Sequence, residues 1–193
     1  MHLHPPHNAL RVLGLAVVFL VGGWGARAFA SPPFVGSGDD ERLLSRNGKF
    51  YALPLPKKAI TPVYRVGKPR DTEIYRLPGS QPTTFVSDDG DYAVVGNIGN
   101  NVLPADVRPD EPMLLFYYRA RLIKTVVLQD LIADIPAARR SSPRWTWGWY
   151  WGFFGAREFM VGTVEGRRLT YDVSTGVITK SEFVKEQVWP SRR

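Results

Sequence analysis

Trp145-Thr146-Trp147-Gly148-Trp149-Tyr150-Trp151-Gly152-Phe153-Phe154 places a tryptophan at every second position over seven residues. A period of two is the period of an extended strand, so one face of such a strand carries the four indoles and Phe153 and the other carries mostly small residues. A helix would scatter the same residues around its circumference. The stretch therefore predicts a β-strand, and it narrows the fold to one that can accommodate a strongly aromatic sheet face.

The rest of the chain is read in the same terms. Leu43-Leu44-Ser45 is a short apolar piece, and Asn47-Gly48 is a favoured hairpin turn because both residue types tolerate positive φ. Lys49 to Leu53 follows as a strand, stopped by Pro54 and Pro56. Pro62 to Val66 and Thr72 to Leu77 are strands joined by a turn over Gly67 to Asp71. Thr84 to Ser87 leads into the turn Asp88-Asp89-Gly90, and Asp91 to Asn97 is the next strand. Residues 98 to 112 form a long Gly/Asn/Pro-rich loop. Met113 to Tyr118 and Leu122 to Leu128 are strands, and a short helix is predicted over Gln129 to Ile135, ended by Pro136. After the Trp strand, Arg157 to Val164, Arg168 to Val173 and Val177 to Phe183 complete the series. The predicted fold class is all-β: three antiparallel, blade-like four-stranded units, as a partial β-propeller or an open sheet packing, with one short helix.

The first two groups align. Ser45-Arg46-Asn47-Gly48-Lys49-Phe50 lies against Ser87-Asp88-Asp89-Gly90-Asp91-Tyr92, and Gly48 and Gly90 are 42 residues apart. That interval matches the roughly 40–45 residues of a propeller blade. The last hairpin, Asp172-Val173-Ser174-Thr175-Gly176, has the apolar-Asp-x-x-Thr-Gly-apolar form common between the last strands of a blade. On these residues, within 42–183, the chain resembles β-propeller repeat proteins of the broad WD40-like or YVTN-like kind. The resemblance implies a binding scaffold rather than a reaction. A ring takes about four to eight blades, so three imply either subunits that combine to close one or sheets packed as an open sandwich or small barrel. Gly-His and Trp-Asp signatures are absent.

Residues 1–30 read as a signal peptide: a polar start with Arg11, an apolar run from Val12 to Trp24, and Ala28-Phe29-Ala30 ahead of Ser31. An exported, periplasmic or extracellular protein is expected, with no stable membrane span once the leader is cleaved; an uncleaved anchor is the alternative. Residues 31–41 are expected to be a flexible linker, 42–183 the β-repeat domain and 184–193 a C-terminal tail. The chain has no Cys, and His2, His4 and His7 all precede the predicted cleavage site. Thiol nucleophiles, cysteine-ligated metals, Ser-His-Asp triads and imidazole metal sites are thereby excluded from the mature chain. No cofactor and no metal are expected. The net charge of +7 is spread along the chain, and export argues against nucleic acid as a partner.

Three environments suit the indole face: a core between sheets, a ligand surface, or a subunit interface. Indoles stack on the apolar faces of sugars, and four at intervals of about 6.8 Å would form a platform. Trp145, Trp147, Trp149 and Trp151 are therefore the candidate ligand-binding residues, with a glycan or protein partner or a second copy of the chain as occupant. No catalytic residue is assigned. The expected role is an exported, non-catalytic binding or interaction protein. The alternatives are a carboxylate-based glycoside-active enzyme, with Glu158 and Glu165 as its pair, or a structural subunit of a homo-oligomer. Asp88, Asp89 and Asp91 are expected to form a solvated acidic turn, with Ca²⁺ as the alternative occupant. Asn97, Asn100 and Asn101 are expected either to contact a ligand or to supply turn conformations, and Arg139, Arg140 and Arg144 to be a solvated cluster.

Overall fold

Short apolar runs separated by glycine-bearing turns produce three four-stranded antiparallel sheets. The computed structural model describes residues 42–97, 101–139 and 144–184, all within the unit Ser31–Arg193. The predicted leader and linker, residues 98–100 with Asn100, residues 140–143 with Arg140, and residues 185–193 lie outside the described residues. The first sheet has the order β1 (Leu43–Leu44), β2 (Phe50–Ala52), β3 (Ile60–Arg65), β4 (Thr72–Pro78). The second comprises β5 (Thr84–Val86), β6 (Tyr92–Gly96), β8 (Pro112–Tyr118) and β9 (Arg121–Val127), passing over β7 (Val102–Pro104). After two short helices, α1 (Leu128–Leu131) and α2 (Ile135–Arg139), β10 (Arg144–Thr146) pairs with β7 as a separate ribbon. The third sheet is β11 (Gly148–Phe154), β12 (Glu158–Thr163), β13 (Arg167–Asp172) and β14 (Val177–Phe183). The all-β, blade-like expectation matches this architecture.

The sequence repeat is a repeat of hydrogen bonds. In the first sheet the Ser45 hydroxyl accepts the Phe50 amide at 3.1 Å and donates to Asn47 Oδ1, which also accepts the Lys49 amide. In the second the Ser87 hydroxyl accepts the Tyr92 amide at 3.0 Å and donates to Asp89 Oδ1, which also accepts the Asp91 amide. Gly48 and Gly90 donate to the carbonyls of Ser45 and Ser87, each at 3.0 Å, with φ of 69° and 76°. Side chains here satisfy backbone donors that the turn leaves without ladder partners, which is why Ser, Asn or Asp, and Gly recur at fixed places. The two turns also bond to each other: Asp88 Oδ1 accepts the Asn47 amide at 2.8 Å, and its carbonyl accepts Asn47 Nδ2 at 2.7 Å.

The second sheet is buried on both faces. Tyr92, Val94, Leu114 and Phe116 join one core cluster, with Phe153, Phe159, Val161, Leu169 and Tyr171 of the third sheet. The alternate residues Ala93, Val95 and Tyr117 join another, with Phe50, Ala52, Val63 and Leu77 of the first sheet. Burying each large apolar side chain is worth about 1.5–3 kcal/mol, and the double burial explains why Tyr92–Gly96 is apolar without alternation. The strands β1 and β2 lie against β5, and β11 lies against β5 on the other side. Phe85 marks that junction, with its ring 5.3 Å from Tyr150 and 5.2 Å from Phe159.

Three sequence expectations are corrected. The Trp stretch is two strands: regular pairing lapses at Trp147, and the register of β11 against β12 shifts between Tyr150 and Gly152, leaving Trp151 as the extra residue of a bulge. The predicted long loop contains β7, whose Leu103 pairs with Trp145. The single helix is two, and Pro136 lies in the first turn of the second, where its missing amide hydrogen removes no helical bond.

Candidate functional site

The four indoles do not form one platform. Trp145 and Trp147 are buried, at 6% and 0% exposure. Trp147 packs edge-on to Tyr150 at 5.4 Å within the core between the second and third sheets. Trp149 and Trp151 are half-buried, 6.1 Å apart, with the Arg168 guanidinium 5.4 Å from the Trp151 ring. The irregularity at Trp147 and the bulge at Trp151 each change the parity of the chain, so strict alternation fails and Tyr150 turns inward beside Trp147. Gly148 and Gly162 permit this crowding: a Cβ at Gly148 would overlap the Gly162 carbonyl, and one at Gly162 would overlap the Trp149 ring.

The carboxylate pair proposed for glycoside chemistry is not brought together. Glu158 begins β12 and Glu165 follows its end. The six residues of β12 alone span about 17 Å at about 3.3 Å per step, beyond the roughly 9.5 Å that the wider two-carboxylate arrangement allows. Glu165 instead accepts the Asp134 amide at 2.9 Å, and Asp134 caps α2 by accepting the Ala137 amide at 3.0 Å. The acidic turn serves three separate partners: Asp88 takes Asn47, Asp89 takes Ser87, and Asp91 takes Arg119. Asn101 adopts φ 69°, a turn conformation, and its carbonyl accepts the Trp147 amide. The Asn97 amide hydrogen is shared between the Met113 carbonyl and the Tyr150 hydroxyl oxygen, each at 3.0 Å. The side chains of Arg139 and Arg144 lie outside the described residues.

What the sheets do bring together is a cleft of about 240 Å³ between the second and third sheets, lined by Asp91, Tyr92, Tyr118, Arg121, Arg157 and Ser174, with Ile123. All but Ile123, the third residue of β9, come from a strand end or turn, at the same end of each sheet. Asp91 precedes β6, and its carbonyl accepts the Arg119 amide at 2.7 Å. Its carboxylate accepts Arg119 Nε at 3.2 Å, and the Arg119 guanidinium lies 5.6 Å from the Tyr118 ring. Tyr118 and Tyr92 pack at 5.3 Å, and the Arg157 guanidinium lies 5.1 Å from the Tyr92 ring. Across the cleft, the Asp172 carboxylate accepts the Ser174 amide at 2.7 Å and hydroxyl at 2.6 Å. Ser174 thereby holds that carboxyl below its ordinary range, with Arg157 adding to the effect. Behind Asp91, burial pushes the Tyr75 phenol far above its usual range, reinforced by Asp91 and Asp89. Tyr75 is thus a neutral neighbour of the acidic turn.

This cleft has no local motif in the sequence. Arg119-Ala120-Arg121 was legible only as a turn, and Arg157 as a strand start. The available signal was the strand order: the second sheet's hairpin tip and the third sheet's first and last hairpins fall at one end of adjacent blades.

No protein-family model and no curated protein matches the chain. Among solved structures, the chain is similar to Pseudomonas aeruginosa periplasmic gluconolactonase, at 17% identity over 76% of this chain and 39% of that one, TM-score 0.39. It is similar to Kuenenia stuttgartiensis hydrazine synthase at 11% identity over 75% and 37%, TM-score 0.36. It is similar to a candidate 6-phosphogluconolactonase from Bacteroides fragilis at 13% identity over 77% and 40%, TM-score 0.36. The chain thus spans about two fifths of the length of each of these proteins. They are β-propeller-like, with four-stranded antiparallel sheets, and are enzymes by name. The expectation of a glycan-binding scaffold is corrected by the division of the indoles: Trp145 and Trp147 are buried in the core, so the four do not form its proposed platform. Among the described residues no helix is long and apolar enough to cross a membrane.

Proposed function

We propose that the described sheets belong to an exported enzyme that hydrolyses a small, oxygen-rich ester, with the sugar lactones in the neighbours' names as the first class to test. The observation that supports this is the composition of the inter-sheet cleft: one carboxylate, Asp91, among guanidinium groups and two tyrosine rings. Retaining or inverting glycoside cleavage asks for two carboxylates at the bond, and Asp91 is the carboxylate among the described lining residues. Ester hydrolysis asks for one base and for donors at the developing oxyanion. In the proposed step Asp91 accepts a proton as water attacks the acyl carbon. The ring C–O bond breaks, and the departing alkoxide takes the proton, giving a hydroxy acid. Arg119 positions the Asp91 carboxylate, and the Tyr92 and Tyr118 rings supply the apolar wall against which a sugar ring stacks. Export is supported by the Ala28-Phe29-Ala30 pattern, and membership of a WD40-like or YVTN-like repeat class by the matched bonds of Ser45 and Ser87.

The test is a pH-stat assay of gluconolactone and its 6-phosphate with the full chain and Asp91→Asn. Turnover above the spontaneous rate, with kcat reduced about 100-fold in the variant, is the expected result for a lost general base. Equal rates in the two proteins would sink the assignment. Turnover of aryl glycosides instead would return the two-carboxylate reading.

A further inference from the structure

The cleft holds more positive charge than its chemistry uses. Asp91 is answered by Arg119, and Asp172 by hydrogen bonds from Ser174, with Arg157 acting on it only at longer range. Arg121, which opens β9 in the second sheet, and Arg157, which precedes β12 in the third, line the same cleft from opposite sides. Neither guanidinium belongs to any ion pair among the described residues. Arg157 is held in place by the Tyr92 ring, so one of the two cations is oriented before any ligand arrives. Arginine presents a planar fork of donors that matches the oxygens of a carboxylate or phosphate, and paired forks select an anion over a neutral group. The volume of about 240 Å³ falls just under the roughly 300 Å³ at which pockets for drug-sized ligands begin.

We propose that Arg121 and Arg157 form an anion subsite that receives a permanent oxyanion of the ligand, a phosphate monoester or a sugar-acid carboxylate. In calling that ligand the substrate, the inference rests on the hydrolase reading above; the binding of the anion does not. Arg121 comes from the same sheet as Asp91, and Arg157 from the neighbouring one. Each guanidinium comes from a different sheet, and the site exists only where the two sheets meet.

The test is calorimetric titration of the full chain with inorganic phosphate, and separately with gluconate, at low ionic strength. Saturable binding is expected for at least one probe, and the stronger of the two identifies the oxyanion. Arg121→Ala/Arg157→Ala should weaken it at least tenfold, while Lys57→Ala, remote from the cleft, should leave it within twofold. Arg121→Ala alone, at an exposed residue, reads the site if the double variant fails to fold. No saturable binding of either probe, or equal affinity in the arginine variants, would overturn the proposal. Anion binding without lactone turnover would leave the subsite standing and remove the hydrolase reading; turnover without anion binding would do the reverse.

Discussion

Gly90 lies under the ring of Phe50: a Cβ at that glycine would overlap the Phe50 ring edge. The two residues belong to successive copies of one turn, with Gly90 in the second and Phe50 closing the first. The repeat thus builds its own inter-sheet contact, since the aromatic of one blade needs a residue without a side chain in the next.

Gly48 and Gly90 have the same turn role and different surroundings, which makes them a matched pair. Gly48 has φ 69° and open space around its hydrogens. Gly48→Ala is therefore expected to cost only the left-handed conformation, about 1–2 kcal/mol. Gly90→Ala adds an overpacking cost of about 1–3 kcal/mol. Urea midpoints measure the difference, and Gly90→Ala should cost less in a Phe50→Ala background than in the wild type. Equal costs for the two glycines would contradict the interlock.

A second pair separates backbone from side-chain crowding. Gly148→Ala meets the Gly162 carbonyl, which the β-ladder holds, whereas Gly162→Ala meets the Trp149 ring. Trp149→Ala should relieve Gly162→Ala and leave Gly148→Ala unrelieved. A double-mutant cycle on thermal midpoints reads this coupling.

Trp147 and Trp151 should differ sharply in stability. Trp147→Ala empties a fully buried site and is expected to cost about 3–5 kcal/mol. Trp151→Ala, at a half-buried bulge residue whose ring meets Arg168, should cost less than half as much. Denaturant titration of the two variants checks the order, and a larger loss for Trp151 would mean that its face is a core.

The Asp172 turn makes a directional prediction for pH. Hydrogen bonds from Ser174, with Arg157 nearby, hold the folded carboxyl below the ordinary carboxylate range. A group depressed in the folded state contributes stability that is present above its unfolded pKa and is lost as pH falls through the folded value. Ser174→Ala removes the largest cause. The gap in urea midpoint between wild type and this variant should therefore narrow as pH drops from 5 toward 2. A gap that is constant over that range would show that the Asp172 titration contributes nothing.

The turns were readable because their chemistry is local. Ser45 and Ser87 reach donors five residues away, so Ser-x-x-Gly-x-aromatic carries the geometry within itself. The β7–β10 ribbon was not readable, because Leu103 finds Trp145 only when the chain between them folds as the rest of the second sheet and the helices. The cleft was hidden for a similar reason. Arg121 and Arg157 are ordinary exposed arginines until two sheets stack and set them around one space.

The sequence by itself determined where the hairpin turns and most strands of the three sheets lie, since alternation, glycine and side-chain-to-backbone bonds act over a few residues. It also determined the 42-residue recurrence that makes the first two sheets equivalent. Only the tertiary structure decided which way the indoles face. Strict alternation puts Trp147 and Trp149 on one side of a strand, but the break at Trp147, between β10 and β11, changes the parity before Trp149 is reached, and the bulge at Trp151 changes it again. Trp147 is held in the core by Tyr150, while Trp149 is accommodated over Gly162. Packing between sheets sets that outcome, because burying an indole against a neighbouring sheet outweighs the regularity of one edge of a β-ladder.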